Sequence, residues 1–331
     1  MKDKLNYLFE GNSLTREMAR ESLVNLAGGN YTESEMAAFL TVFNMRKIRS
    51  DELAGFRDAM LDLAIRIDLD GYNLIDVCGT GGDEKNTFNI STLTAFVIAG
   101  AGAKVVKHGN FAVSSPCGSS NILEHFGYKF SNDNEKLKRE IETTNICYLH
   151  APLFHPAMKN IGPVRKALKV KTFFNILGPM VNPARPANQL IGVYNEEVQQ
   201  LYADVYKKIG VNHVIVYSLD GYDEISLTGD FRYISLQDQK TLTPDSLGLL
   251  RIEHFELFGG NTVKEAADIF EDILEFSGTE AQHNVVIANS AMALKCYYPE
   301  RSLEDCILMA RESLESKRAM LTLKKLMDKQ Y

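Results

Sequence analysis

The chain reads as an α/β protein, with a small all-helical region ahead of a larger part in which strands and helices alternate. Three observations carry this reading. Residues 1–70 hold apolar side chains at helical spacing and no strand-like run. Two strand–turn–helix units follow, at residues 74–98 and 105–126. A further strand–helix–strand alternation spans residues 189–217. At 331 residues there is chain enough for a large core and two domains.

In the helical region, Leu14–Leu26 ends at Gly28-Gly29, a stop signal. Thr32 with Glu35 makes a capping-box pattern before Met36, Phe39, Leu40 and Phe43. Ser50-Asp51 reads as the cap of a helix carrying Leu53, Phe56, Met60 and Leu63. These stripes face either a core or a subunit surface.

Leu74–Cys78 is short, apolar and β-compatible, and Gly79-Thr80-Gly81-Gly82 follows it. Glycines there can expose consecutive backbone N–H groups. A helix starts near Ser91. Strand, glycine turn and helix together suit a phosphate, or else form a tight structural turn. A nucleotide-triphosphate loop is excluded, because Asp83-Glu84-Lys85-Asn86 replaces the required Gly-Lys-Ser/Thr. A dinucleotide fingerprint is excluded by Glu84. The second unit runs from Val105-Val106 into Lys107-His108-Gly109-Asn110, then Ser114-Ser115 and Gly118-Ser119 before a helix through Ile122, Leu123 and Phe126. Such a density of hydroxyl, amide and glycine suits a phosphorylated, polyhydroxylated ligand. Lys107, at a strand end, reads as a phosphate contact.

Asp133–Thr143 reads as a charged helix and Cys147–His150 as a strand. Ala151–Met158 is expected to be a loop leading into a short helix, and Pro163 to open the helix that carries Arg165. Gly178–Pro186 is too rich in proline for regular structure. Residues 165–187 are expected to return to the helical domain and cross back. That gives one domain of residues 1–70 with this segment, and another of residues 71–164 and 188–331. Gln189–Tyr194 and His213–Tyr217 are strands around a helix at Val198–Ile209. Phe231–Leu236 suggests an edge strand, and helices over 262–276, 280–297 and 302–329 close the chain, with Thr279 and Gln282 as a second capping box.

Asp223-Glu224 follows a strand. Paired carboxylates there either bind Mg2+, which prefers oxygen ligands shared with phosphates, or form a solvated acidic turn. His108 and His155 are polar walls or acid–base groups, and neither is assigned as a general base. The net charge of −7, from 36 basic and 43 acidic residues, argues against a nucleic-acid binder. Cys78, Cys117, Cys147, Cys296 and Cys306 form no CxxC pair, which fits reduced thiols in a cytoplasmic protein. The first residues lack a signal-peptide core, and no apolar run reaches membrane-spanning length.

Taken in order, Gly79–Asp83, Thr87–Thr92, Lys107–Asn110 with Ser114-Ser115, and Gly118-Ser119 resemble the anthranilate phosphoribosyltransferases. So do His155–Met158, Pro163–Arg165, Phe174–Pro179 with Asn182-Pro183, and Asp220–Glu224. The resemblance implies a mostly parallel sheet flanked by helices, as in nucleoside phosphorylases and phosphoribosyltransferases. It implies transfer of the phosphoribosyl group of phosphoribosyl pyrophosphate to anthranilate, in tryptophan synthesis, by a homodimer joined through the helical domain. The donor would be held by Gly79, Gly82, Asp83, Thr87, Asn89, Ile90, Ser91, Thr92, Lys107, His108, Gly109, Asn110, Phe111, Ala112, Val113, Ser114, Ser115 and Ser119. Anthranilate would meet Gly79, His108, Asn110, His155, Met158, Arg165, Gly178 and Pro179, with Arg165 pairing its carboxylate. Ser91, Asp223 and Glu224 would hold Mg2+.

Three positions depart from the family's usual residues. Phe111 stands where Arg is common, Asn121 where Asp is usual, and Lys171 where Arg often precedes the Thr-Phe run. Two other readings stay open: a pyrimidine nucleoside phosphorylase, which would not need Asp223-Glu224 or Arg165, and a non-enzymatic nucleic-acid-binding paralogue.

Overall fold

The computed structural model describes residues 1–112 and 115–328. Four helices come first: α1 (Lys2–Phe9), α2 (Arg16–Ala27), α3 (Glu33–Met45) and α4 (Ser50–Asp62). The α/β part begins with β1 (Leu74–Gly79), α5 (Ile90–Gly100), β2 (Lys104–Gly109), α6 (Ser119–His125), α7 (Asn134–Thr144) and β3 (Ile146–His150). Next come α8 (Ala151–Phe154), α9 (Met158–Leu168), β4 (Asn188–Gly192), α10 (Glu196–Ile209), β5 (Asn212–Ser218), β6 (Phe231–Ser235) and β7 (Gln239–Leu242). The chain closes on α11 (Val263–Leu274), α12 (Glu280–Tyr297), α13 (Leu303–Glu315) and α14 (Arg318–Met327). No helix among the described residues is long and apolar enough to cross a membrane.

Both capping boxes form. Glu35 Oε2 accepts the Thr32 N–H at 2.9 Å, and Gln282 Oε1 accepts the Thr279 N–H at 2.9 Å. The expected Ser50-Asp51 cap does not form. Ser50 is the first residue of α4, and the fully buried Glu52 organises its start. Glu52 accepts the N–H groups of Leu14 and Arg49 at 2.9 Å each, and Arg46 donates to it from Nη1 at 2.9 Å. A buried carboxylate is stable only when so satisfied.

Other expectations need correction. α1 adds a helix to the three that stripes and caps mark, within a region that reads as helical throughout. Ala151–Phe154 is a short helix rather than a loop. Pro163 sits inside α9 instead of opening it. Residues 178–180 form one 3-10 turn within the otherwise irregular 178–186 stretch. The last helix is broken between α13 and α14, where Lys317 takes a left-handed φ of +58°. Residue 329, the last of that expected helix, lies outside the described residues.

The sheet has seven strands in the order β3-β2-β1-β4-β5-β6-β7. β1 to β5 run parallel, and β6 and β7 add an antiparallel edge. One face, through Ile75, Val77, Val105, Leu190 and Val216, packs on α5 and the C-terminal helices. On the other, Ile191 and Ile215 share a cluster with Tyr202 and Tyr206 of α10 and with the N-terminal helices. Ala157, Ile161, Val164, Phe173 and Phe174 join that second cluster, and Phe173 stacks on Phe56 with ring centroids 4.2 Å apart.

The stripes Met36, Leu40, Phe43, Leu53, Phe56 and Met60 are all buried in this core, so they form no free subunit surface. Helices α2 and α4 approach so closely that a Cβ on Gly55 would lie 2.2 Å from the Arg16 carbonyl oxygen. Alanine gains up to about 1 kcal/mol over glycine within a helix. Overpacking costs about 1–3 kcal/mol, and backbone cannot step aside as a side-chain tip can. Gly55→Ala should therefore lower the urea midpoint of the helical region; an unchanged or raised midpoint would show that the crossing has slack.

Candidate active site

From β1 the chain steps outward to β2 and β3, then returns to β4 on the other side of β1. The carboxyl ends of β1 and β4 thus open a crevice where the connections diverge, the position ligands favour in such sheets. A cleft lies there, lined by the ends of β1 and β2, the start of α5, Gly178-Pro179 and the acidic turn Asp223-Glu224.

Asp223 lies across both strand ends. Gly79 of β1 is paired with Gly192 of β4. A Cβ on Gly79 would fall 2.3 Å from Asp223 Oδ2, and one on Gly192 would fall 1.5 Å from the Asp223 carbonyl oxygen. These glycines make room for a neighbour. Gly81 and Gly82 are needed for another reason, their φ values of +64° and +80°. The turn is tied down from both sides. Gly81 donates its N–H to Asp223 Oδ2 at 2.6 Å, and Thr80 donates to the Gly192 carbonyl at 2.9 Å.

The start of α5 is not the free anion site that the strand–turn–helix pattern suggests. Ser91 N–H donates to Glu224 Oε1 at 2.9 Å, while Thr92 and Leu93 donate to the Asn89 carbonyl at 3.1 and 2.9 Å. Glu224 therefore occupies the positive end of this helix. The amides of Gly82 and Asp83, which line the cleft, have no hydrogen-bond partner among the described residues. The position left for an anion lies on the loop itself.

Electrostatically the cleft is divided. Burial, reinforced by the Asp83 charge, pushes the Asp223 carboxyl up to about 7. Burial and then the charges of Asp223 and Asp83 push Glu224 well above its ordinary value too. Neither forms an ion pair with a described residue. Among the described residues no three His, Cys, Asp or Glu groups come together to hold a metal alone. Two buried, mutually repelling carboxylates with no ion-pair partner among the described residues still fit a hard cation, which prefers oxygen ligands.

Behind this lies a buried polar layer. Asp76 accepts the His108 N–H at 3.2 Å and an Asn182 amide N–H at 2.8 Å, and burial raises its carboxyl to about 6. Lys107, 2% exposed, donates from Nζ to the Val77 carbonyl at 2.7 Å. His108 and His155 meet Nε2 to Nε2 at 3.2 Å, one donating to the other. Burial drives His108 down to about 3 and His155 to about 4, so both are neutral near pH 7.

Of the residues expected around the donor, Gly79, Gly82, Asp83, Thr87, Asn89, Ile90, Ser91, Thr92, Lys107, His108, Gly109, Asn110, Phe111, Ser115 and Ser119 line the cleft. Ala112 does not; its N–H is bound to Asn121 Oδ1 at 3.0 Å. Val113 and Ser114 lie outside the described residues. Of the other set, Gly178 and Pro179 line the cleft, and His155 reaches it through His108. Met158 and Arg165 stand back from it on α9. Arg165 places its guanidinium 5.0 Å from the centre of the Phe174 ring and has no ion pair among the described residues. The residues expected as ligand contacts leave out Cys78, Thr80, Gly81, Lys85, Phe88, Cys117, Gly118 and Ala151, which also line the cleft; Thr80, Gly81, Phe88 and Gly118 lie within the motifs the sequence marks. Of the others, Lys85, soon after the glycine turn, was the readable one.

Comparisons with known proteins fit this geometry. The model of the glycosyl transferase family, a/b domain, matches residues 71–320, and that of its helical bundle domain matches residues 2–64. Fold and cleft thus define a glycosyl transferase. An anthranilate phosphoribosyltransferase of Flavobacterium johnsoniae is 53% identical over 332 residues, covering 99% of each chain. The crystal structure of the Thermus thermophilus anthranilate phosphoribosyltransferase superposes with a TM-score of 0.91 at 32% identity, covering 98% of each chain. The Saccharomyces cerevisiae enzyme in complex with phosphoribosyl pyrophosphate and Mg gives 0.90 at 26% identity, covering 98% of this chain and 96% of that one. The chain belongs to the anthranilate phosphoribosyltransferase family.

The raised carboxyls carry a stability consequence. Between 3.8 and about 7, Asp223 keeps its proton when folded and loses it when unfolded. The native state then binds more protons, so stability falls as pH rises through this window. The two histidines, pushed down, give the opposite slope, so only a comparison of variants isolates the acid. Asp223→Asn should raise the melting temperature of the metal-free protein at pH 7–8 relative to wild type, with the gain shrinking towards pH 4. A gain that stays constant with pH would show that Asp223 is not held protonated.

Proposed function

We propose that the chain transfers the 5-phosphoribosyl group of phosphoribosyl pyrophosphate to the amino group of anthranilate, releasing pyrophosphate, in tryptophan biosynthesis. The observation that carries this reading is the pairing, in one cleft, of unpartnered loop amides at Gly82 and Asp83 with the uncompensated acidic pair Asp223-Glu224. The amides suit the pyrophosphate and the acidic pair suits its cation. When bound at Asp223 and Glu224 beside Ser91, Mg2+ would supply positive charge against the leaving pyrophosphate.

The amine nitrogen bonds to C1 of the ribose as the bond from C1 to the pyrophosphate oxygen breaks, and the nitrogen then loses a proton. No residue is assigned as its acceptor. The neutral histidine pair supports that restraint, because groups pushed down to about 3 and about 4 are poor bases at neutral pH. Lys107, Asn110 and the hydroxyl groups near Ser115 and Ser119 orient the donor; His108, Gly178 and Pro179 wall the acceptor side. The reaction class is tested by loss of anthranilate fluorescence with phosphoribosyl pyrophosphate and Mg2+, against phosphorolysis of thymidine or uridine. Phosphorolysis without anthranilate consumption would favour the phosphorylase reading, which nothing in the relatives supports.

Asp223→Asn with Glu224→Gln should weaken Mg2+-dependent turnover at least tenfold, about 1.4 kcal/mol of transition-state stabilisation. An unchanged Mg2+ titration would overturn the metal assignment.

Arg165 is the acceptor's carboxylate partner on this reading. It is partly buried, lies over the Phe174 ring and has no ion pair among the described residues. A charge-assisted contact is worth about 1.5–3 kcal/mol, so Arg165→Ala should raise the KM for anthranilate roughly ten- to hundredfold and leave that for phosphoribosyl pyrophosphate nearly unchanged. Equal loss for both substrates would make Arg165 a structural or phosphate residue.

A homodimer through the helical domain is part of the proposal. Its support is the exposure of Phe9 at 65% and Met45 at 83%, both in that domain. Light scattering that gives a monomer at working concentrations would count against it.

A further inference from the structure

We infer that Asn289, on α12, is a positioning residue for the acidic pair Asp223-Glu224. The inference rests on the proposed cation role of that pair. Asn289 lies in the apolar run Val285–Leu294, 3% exposed, and touches neither carboxylate through a hydrogen bond. Its partner is the peptide of Ile225, the residue that follows Glu224. Oδ1 accepts the Ile225 N–H at 3.0 Å, and Nδ2 donates to the Ile225 carbonyl at 2.8 Å. The same Nδ2 also meets the Val285 carbonyl one turn back in its own helix, at 2.9 Å.

A two-way contact of this kind is what a neighbouring strand would offer. The turn after β5 has left the sheet, and the peptide groups of the fully buried Ile225 need partners that no strand supplies. Asn289 stands in for that strand. On the other side of the same turn, Ser218 Oγ donates to the Glu224 carbonyl at 2.6 Å and accepts the Ser226 N–H at 3.2 Å. Glu224 is thus fixed by its own carbonyl and by the peptide after it, while its side chain reaches Ser91.

Rigid support matters here more than elsewhere. The two carboxylates repel each other, and a turn free to move would relieve that repulsion by swinging one of them out to water. Asn289 also lines a small cavity with Glu224, Ser91 and Thr94. Loss of its side chain would enlarge the space behind Glu224. A residue in this role changes cation affinity without touching the cation.

The test uses Asn289→Leu, Asn289→Ser and Ser218→Ala in the full chain. Each is assayed for half-saturating Mg2+ and for the KM of both substrates. Mn2+ binding in the presence of phosphoribosyl pyrophosphate is followed by electron paramagnetic resonance. Asn289→Leu should shift the Mn2+ and Mg2+ midpoints together, roughly ten- to hundredfold, with the anthranilate KM unmoved. Ser218→Ala should shift them less, in the same direction, and carries the test if the Asn289 variants fail to fold. Folded variants with a lower kcat but wild-type Mn2+ binding would overturn the inference and leave Asn289 a core residue. Asp223→Asn with Glu224→Gln is the control. If it leaves Mn2+ binding intact, the cation reading itself has failed. If it abolishes binding and the Asn289 variants do not weaken it, only this inference has.

Discussion

Asp223 resting on the ends of two neighbouring strands is the constraint on which the rest of the site depends. Because its carbonyl and carboxyl groups sit over Gly192 and Gly79, both parallel strands must end in residues without side chains. Their cross-strand pairing keeps the two gaps side by side. Gly81 closes the arrangement by donating to the same carboxylate. One long-range contact thus ties the acidic turn, the glycine loop and the point where the sheet order reverses. Neither loop can shift without the other. The cleft is therefore built from backbone held both by strand pairing and by a buried carboxylate, which suits a site that must present amides at fixed positions.

The sequence made the architecture legible because the relevant signals are local. Alternation of strands and helices, capping boxes and glycine turns each declare themselves within a few residues. Reasons that come from distant residues stay hidden. That Gly79 makes room for Asp223, far along the chain, cannot be read from the turn. Nor can the capture of the α5 amide by Glu224, which moved the open anion position from helix to loop. Met36, Leu40 and Phe43 show the same limit: spacing marks an apolar face, but only the fold tells whether the molecule's own core covers it. Pro163 read as a helix start because its missing N–H is free of cost there, yet here α9 tolerates it inside.

The departures at Phe111 and Asn121 have a physical account in the structure. Asn121 Oδ1 accepts the N–H groups of Ala112 and Gly118 at 3.0 Å each, a task that needs an acceptor oxygen and no charge. Phe111 meets His150 edge to face, with centroids 4.9 Å apart, and His150 stacks on Phe130. Lys171 keeps a charge at the third position, donating to the Gly82 carbonyl at 2.9 Å and to Glu84 at 3.0 Å, while Asn44 of α3 holds its own carbonyl. The glycine loop is thereby linked to the helical bundle. All of these groups are exposed, so the link is weak enough to open.

The cleft's own groups are unbalanced in two opposite senses, and this argues for a ligand that carries both signs. The loop amides at Gly82 and Asp83 call for negative charge, yet a bare pyrophosphate there would face Asp83, Asp223 and Glu224 at close range. The acidic pair calls for a cation, yet it supplies too few ligands to hold one alone. Neither half is a good site by itself. A phosphorylated donor carrying its own Mg2+ would satisfy both, with Asp223 and Glu224 holding the cation and the cation supplying positive charge between the carboxylates and the phosphates. Departure of pyrophosphate with that cation would restore the imbalance. On the proposed reading, the buried acids thus favour binding of the loaded donor over either component, and the cost to the empty protein appears in their raised affinity for protons.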